Sequence, residues 1–524
     1  MKKLPLSIQT FRDFIKEDYI YVDKTKHIYD LFAWGGKYYF LSRPRRFGKS
    51  LLISTLAEIF SGNKELFKGL WIYDKIEWTK HPVIHIDLSK MDFETPPKLK
   101  DSLKQFLHKT AIFYGVTLEE KNTYKGSFVE LIEKLYSLGR VVILVDEYDK
   151  PITEHLEAKQ IEKAKNIRKV LKNFFGIIKG SDAYLKLVFI TGVSKFSRVS
   201  IFSDLNNLRD ITLSEQFSLI VGYTENELMH YFQSYLEQLA EKTGINKTQL
   251  AADIKYWYNG YSWDGTNFVY NPFSILNLFA EKRFRNFWFT SGTPTFLINL
   301  IRSKKSEIRE FENLTVENYT FDSYDIENMD IAALLFQTGY LTIKKIIIEN
   351  NEETYYLSYP NKEVKDSFLS YLLGEFSRLD LSASTLVQKQ INKAISAGDM
   401  EGFLSEIRSL FASIPYHIFI ADKEAYYHSI IYLILKLAGG DVRCEVPTNT
   451  GRIDAVLEAG DKIYIMEFKL GSEREALTQI KEMKYYEPYL GKGKEIVLMG
   501  IGFDLEQRNI GNYLVERVKC PPVL

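Results

Sequence analysis

Cysteine is almost missing from this chain, with two in 524 residues, Cys444 and Cys520. That excludes a disulfide-stapled scaffold, suits a reducing cytoplasm, and leaves no Cys/His spacing for a structural zinc site. No apolar run approaches the roughly 18 residues that a bilayer-spanning helix needs, so no membrane partner is expected. Met1-Lys2-Lys3 is followed by Pro5 and polar residues rather than an apolar stretch, so no signal peptide is expected. Net charge is lacking as well: 68 basic side chains stand against 68 acidic ones. That weakens a general nucleic-acid-coating role through bulk charge and does not exclude local grip. Low-complexity tracts and short repeats are absent. Apolar residues make up 45% of the chain and aromatics 14%, enough for packed cores over a length that suggests three or four domains.

Near the far end, Arg452 to Glu458 alternates apolar and polar residues, Gly460-Asp461 makes a turn, and Lys462 to Leu470 alternates again. Residues two apart in a strand point to one face, so Glu467 and Lys469 project together, and the hairpin can bring Asp454 beside them. Two carboxylates and a lysine at one sheet edge can hold a divalent metal and orient water for attack on phosphate. Upstream, Glu424 opens an apolar helical run through Ile430, Ile431 and Leu433 to Leu437; downstream, Ala476-Leu477-Thr478-Gln479-Ile480 reads as a helix. This order resembles the PD-(D/E)xK nuclease superfamily, with Ile453 in place of the proline of its name. The resemblance implies metal ligation by Glu424, Asp454 and Glu467, catalysis by Asp454, Glu467 and Lys469, and support from Gln479.

At the other end, Lys37 to Ser42 reads as a buried strand, Arg43-Pro44-Arg45-Arg46-Phe47-Gly48-Lys49-Ser50 as a loop, and Leu51 to Phe60 as a helix. Strand, loop, GKS and helix form the context of a P-loop. Its backbone N–H groups and helix N-terminus receive phosphate oxygens. The expected nucleotide contacts are Arg46, Phe47, Gly48, Lys49 and Ser50, with Ser50 on magnesium. Arg43 stands where GxxxxGK[ST] has its first glycine. The apolar strand Arg140 to Val145 ends in Asp146 and Glu147, a Walker B pattern, with Asp146 for magnesium and Glu147 to activate water. A third strand, Leu185 to Gly192, places Thr191 and Ser194 as candidate γ-phosphate sensors, and Arg198 and Arg209 as candidates for charge stabilisation.

Together with Tyr21-Val22-Asp23-Lys24-Thr25, Val145-Asp146-Glu147-Tyr148-Asp149-Lys150-Pro151, Thr191-Gly192-Val193-Ser194-Lys195-Phe196-Ser197 and Tyr256-Trp257-Tyr258-Asn259-Gly260-Tyr261, these segments resemble the AAA-ATPase-like family. Its members pair this ATPase with a C-terminal PD-(D/E)xK domain and usually carry the loop in the RPRRFGKS form.

The expected fold is α/β. A P-loop AAA-type ATPase core spans 1–220, a helical lid 221–320, a winged-helix module 321–380, a helical connector 381–420 and a nuclease-like α/β domain 421–524. Within the lid, Thr224 to Glu227 reads as a helix cap, and Leu228, Tyr231, Phe232 and Leu236 share a buried face. Tyr256 to Tyr261 with Trp263-Asp264-Gly265 reads as a packed junction rather than a base-stacking surface. Glu349, Glu352 and Glu353 favour a spacer over a DNA reader for the winged module. The resemblance implies an ATP-controlled, metal-dependent nuclease acting on nucleic acid, with DNA as the expected substrate, in bacterial defence or mobile-element processing. ATP and Mg2+ are the expected cofactors, with Mn2+ an alternative at the nuclease site; a homo-oligomer stays open. The alternative is a nucleotide-dependent switch whose nuclease-like domain binds nucleic acid or protein without cutting. A DNA motor ranks low, because helicase motifs are lacking.

Overall fold

The computed structural model describes residues 1–33, 35–195, 201–202, 205–288, 297, 300–301, 311–322, 330–377, 381–413, 424–437, 441–449, 451–504 and 506–518. One compact unit takes in residues 1–300 and 311–364; the other is built mainly from Lys365–Leu524. No helix among the described residues is long and apolar enough to cross a membrane.

The first unit is organised by five parallel strands: β1 (Tyr38–Ser42), β2 (Val83–Asp87), β3 (Val141–Asp146), β4 (Leu185–Gly192) and β5 (Arg209–Asp210), in the order β2-β3-β4-β1-β5. Every residue of β1 and β3 is buried, as the continuous apolar runs of a sheet covered on both faces require. Helices Lys49–Phe60 and Tyr124–Tyr136 both lie against β3. Because β4 is inserted between β3 and β1, the carboxyl ends of these strands meet at one edge, where an open α/β sheet forms its crevice.

Helices Glu225–Tyr231, Gln233–Thr243, Lys247–Tyr258 and Pro272–Glu281 follow. Thr224 and Glu227 form a reciprocal capping box. Leu228, Phe232, Leu239, Ile254, Ile275 and Phe279 build a core that also takes in Ile20 and Val22 from the N-terminal segment. A buried Lys24–Glu227 ion pair, 2.7 Å, ties the same two pieces together. Tyr258, Tyr261 and Trp263 are buried while Tyr256 is exposed, so the stretch packs through these three aromatics. Residues 331–377 run as helix Ile331–Thr338, β7 (Thr342–Glu349), β8 (Glu352–Ser358) and helix Lys362–Ser377. A further strand, β6 (Leu314–Glu317), pairs with β8 in a segment the sequence pattern placed among helices. Four residues alternating Leu-Thr-Val-Glu are too short for periodicity to declare, and only pairing makes them a strand.

The second unit holds β9 (Asp441–Pro447), β10 (Arg452–Ala459), β11 (Lys462–Leu470), β12 (Glu495–Asp504) and β13 (Asn509–Val518), in the order β13-β12-β11-β10-β9. The pairings are antiparallel except β11–β12, which is parallel and joined through helix Glu473–Glu482. That helix covers the sheet through Ile480 against Val456, Ile463, Ile465 and Leu498. Helices Leu381–Ser396 and Met400–Ser413 form a hairpin whose second arm meets β13, and helix Glu424–Leu437 precedes β9.

Candidate functional site

β1 feeds the loop Arg43–Gly48, and helix Lys49–Phe60 starts where the loop ends. Its first-turn N–H groups therefore face the crevice, a ready anion site. Two loop residues adopt left-handed backbone, Gly48 at φ +87° and Arg46 at φ +67°. Glycine takes that shape freely, whereas arginine pays about 1 kcal/mol for it. Lys49 Nζ donates to the carbonyls of Arg43 and Pro44, 2.9 Å each. Burial pushes the Lys49 ammonium below its ordinary range, with Asp146, Asp149 and Glu147 opposing.

Asp146 is buried, which pushes its carboxyl up, and the Ser50 hydroxyl and Lys49 act against that shift. Glu147, at φ +49°, lies 3.4 Å from Lys150 Nζ. Asp149 accepts from the Ser194 N–H at 2.7 Å, from its hydroxyl at 2.6 Å and from the Val193 N–H at 3.2 Å, and so fixes the turn after β4. The motif reading quoted Asp149 without a role; a carboxylate three residues past the Walker B aspartate was its only signal.

These groups border a cavity of about 500 Å³, within the range of small-molecule sites. Its lining combines the polar and charged groups of Arg45, Arg46, Lys49, Ser50 and Glu147 with the apolar side chains of Leu6, Ile8, Tyr223, Phe273 and Leu276. Groups that can contact a polyanion together with apolar surface suit a nucleotide, so the residues present fit ATP with magnesium.

Of the expected nucleotide residues, Arg46, Gly48, Lys49, Ser50, Glu147 and Ser194 line this cavity, and Asp146 stands behind Ser50. Phe47 does not: its ring is buried edge-on to Tyr261 and Trp263. Thr191 is not brought there either, because its hydroxyl donates to the Leu41 carbonyl at 2.8 Å inside the sheet. Arg209 lies on the short edge strand β5, over the Phe217 ring and against Tyr39. Arg198 lies outside the described residues.

In the second unit, the pair Ala455↔Met466 ends the ladder between β10 and β11 and sets Asp454 beside Glu467. The Phe468 N–H donates to Asp454 Oδ2 at 2.9 Å, and the Asp454 N–H points at Glu467 Oε2 at 3.4 Å. Gln479 Nε2, from helix Glu473–Glu482, donates to Glu467 Oε1. Glu467 is 2% exposed, so this amide holds a carboxylate that solvent barely reaches. Lys469 is two residues on in β11 and shares the face of Glu467. Glu424 opens helix Glu424–Leu437, and its side chain lies outside the described residues. No group of three metal-ligating side chains converges among the described residues. Two adjacent carboxylates at a strand end are nevertheless a donor set that suits a hard divalent cation completed by water.

Gly500 and Gly502 escaped the sequence reading. Gly500 pairs with Glu467 across β11–β12 and Gly502 with Lys469. A Cβ on Gly500 would lie 2.4 Å from the Glu473 carbonyl and 2.5 Å from the Leu477 N. These glycines let the helix that bears Gln479 seat directly on β12, beside the strand that bears Glu467. Glycines two apart inside a strand, Met499-Gly500-Ile501-Gly502-Phe503, were the available signal for such close approach.

Comparison with known proteins finds two domain families along the chain. Residues 5–202 match the AAA-ATPase-like family, described as predicted AAA-ATPase, and residues 422–513 match the PD-(D/E)XK nuclease superfamily. A protein of Azotobacter chroococcum mcd 1, named "Uncharacterized protein in vnfD 5'region", is 38% identical over 527 residues, spanning 98% of this chain and 99% of the relative.

Proposed function

The chain belongs to the family that joins an AAA-ATPase-like domain to a C-terminal PD-(D/E)XK nuclease domain, and on that premise we propose a metal-dependent nuclease, acting on DNA, whose cutting is controlled by ATP. The observation that carries this reading is the group Asp454, Glu467 and Gln479, linked by hydrogen bonds at the ends of β10 and β11. A binding module has no need of two adjoining carboxylates, one nearly buried, held by an amide from another element.

In this reading Asp454 and Glu467 hold Mg2+ or Mn2+, with Glu424 as a further ligand. The ion, when bound, supplies Lewis-acid stabilisation of phosphate charge and a more acidic water. Gln479 keeps Glu467 in one rotamer, and Lys469 offers its ammonium to the phosphate. In the first unit Lys49 and the loop N–H groups bind the polyphosphate, Ser50 and Asp146 hold magnesium, and Glu147 accepts the proton of the attacking water. Ser194, oriented by Asp149, reports the γ-phosphate. The setting that fits is bacterial handling of foreign or mobile DNA.

The test compares the protein with Glu467→Ala on plasmid, linear duplex and single-stranded substrates, with magnesium or manganese, with and without ATP. Cutting is expected to fall at least about 100-fold in the variant while ATP hydrolysis persists, and ATP is expected to change the rate of the unaltered protein. No cutting by the unaltered protein under any condition, with hydrolysis intact, would replace this reading by the nucleotide-dependent switch.

A further inference from the structure

The phosphate loop carries three arginines with three different fates. Arg43 is fully buried and bonded to backbone carbonyls. Arg45 and Arg46 are exposed at the cavity wall beside Lys49 and Ser50. Neither makes a hydrogen bond or an ion pair with any described residue. Arg46 instead sits over the Phe273 ring of helix Pro272–Glu281, its guanidinium carbon 3.8 Å from the ring centroid. Lys150, which also lines the cavity, is near Glu147 and Glu154, at 3.4 and 3.9 Å. Two neighbouring guanidiniums with no carboxylate partner among the described residues repel each other unless a polyanion lies between or before them. Their planar forks match phosphate oxygens in pairs. The left-handed backbone at Arg46 would suit glycine, so an arginine there points to a use for its side chain.

We propose that Arg45, with Arg46 beside it, supplies in cis the positive charge that stabilises phosphoryl transfer in the first unit, so that one chain hydrolyses a nucleoside triphosphate without a guanidinium from a second copy. The inference rests on the nucleotide reading of this cavity. As the water oxygen bonds to the γ-phosphorus, the bond from that phosphorus to the β,γ-bridging oxygen breaks. The water's proton passes to Glu147 and then to solvent, and the bond pair leaves with the nucleoside diphosphate. Negative charge thus grows on the bridging and γ oxygens, where an arginine acts most strongly in this class of reaction. Arg46, anchored by its stack, positions the polyphosphate, and Arg45 is the freer of the two. Arg209, which the sequence put forward for this role, sits at the sheet edge against Tyr39 and Phe217.

Steady-state ATP hydrolysis by the full chain with magnesium, over a 100-fold range of protein concentration (about that span suffices to expose assembly), tests the proposal together with Arg45→Ala, Arg45→Lys and Arg46→Ala. Specific activity is expected to stay constant with concentration. Arg45→Ala should lower kcat about 100-fold or more with little change in the Kd for a non-hydrolysable ATP analogue, and added guanidinium ion should restore part of its rate. Arg45→Lys should fall between, and Arg46→Ala should raise KM more than it lowers kcat. Specific activity rising with concentration, or Arg45→Ala keeping kcat within about threefold, would overturn the in-cis assignment while leaving the ATPase reading intact. Failure of the unaltered protein to bind any nucleoside triphosphate would overturn both.

Discussion

Arg43 illustrates how one residue can contradict a motif and still serve the loop. Its Nη1 donates to the carbonyls of Ser42 and Thr212 at 2.9 and 2.8 Å, its Nη2 to Phe217 at 3.3 Å, and its guanidinium stacks 3.9 Å from the Trp263 ring. Burial pushes its pKa down to about 9, still charged at neutral pH. The side chain therefore points away from the cavity and clamps the loop from below. Restoring the generic glycine, Arg43→Gly, should destabilise the protein by about 3 kcal/mol, since three buried carbonyls lose donors and a void opens; urea unfolding measures it. Glu363 offers a second single-residue prediction. Its carboxylate is fully buried, accepting from the Ser274 hydroxyl at 2.7 Å and from the Phe287 and Trp288 N–H groups at 2.5 and 2.8 Å. Burial pushes its pKa up to about 7, against those hydrogen bonds. A carboxyl raised on folding binds its proton more tightly in the native state, so its contribution is complete at acid pH and is lost as pH rises through about 7. Glu363→Gln should flatten the stability profile between about pH 4.5 and 7 by on the order of 3 kcal/mol. Chemical unfolding across that range would find the two proteins parallel if the acid plays no such part.

At the scale of elements, the close seat of helix Glu473–Glu482 on β12 decides the geometry around Glu467. Gly500→Ala would push a methyl into the Glu473 carbonyl and the Leu477 N, backbone atoms that a rotamer change cannot move. The expected result is a loss of about 2 kcal/mol in stability and a larger proportional loss of cutting than of ATP hydrolysis, because Gln479 moves off Glu467. Equal losses of both activities would show a global rather than a local effect. The strands and helices bearing the motifs were readable in advance, since β1, β3, β4, β10 and β11 carry strong apolar runs or alternation. β6 was not, because its four residues become a strand only when β8 lies alongside. Thr191 shows the same limit within a well-read strand. Its identity and position suit a sensor, yet the neighbouring β1 carbonyl of Leu41 takes its hydroxyl.

For the whole molecule, the two units allow a test of where the nucleotide acts. A non-hydrolysable ATP analogue with magnesium at 100 times its Kd should stabilise the unit that binds it by about 2.7 kcal/mol. Hydrogen exchange is expected to show that protection in amides of β1, β3 and β4, and far less in β10 to β12. Protection confined to the second unit would remove the cavity beside Lys49 as the nucleotide site. The sequence by itself determined the motifs of the two candidate sites: the Lys49-Ser50 loop with Asp146-Glu147, and Asp454 with Glu467 and Lys469. Local spacing shapes each motif by itself, because a strand, a turn and a helix carry their residues to predictable positions. Tertiary structure alone decided which loop arginine is buried and which face the cavity, that Asp149 holds Ser194, that Thr191 is turned inward, and that Gly500 lets Gln479 reach Glu467. Each of these depends on a strand or helix distant in sequence coming to lie alongside, and the partner of a hydrogen bond or a close contact is chosen only when the sheet order has been set.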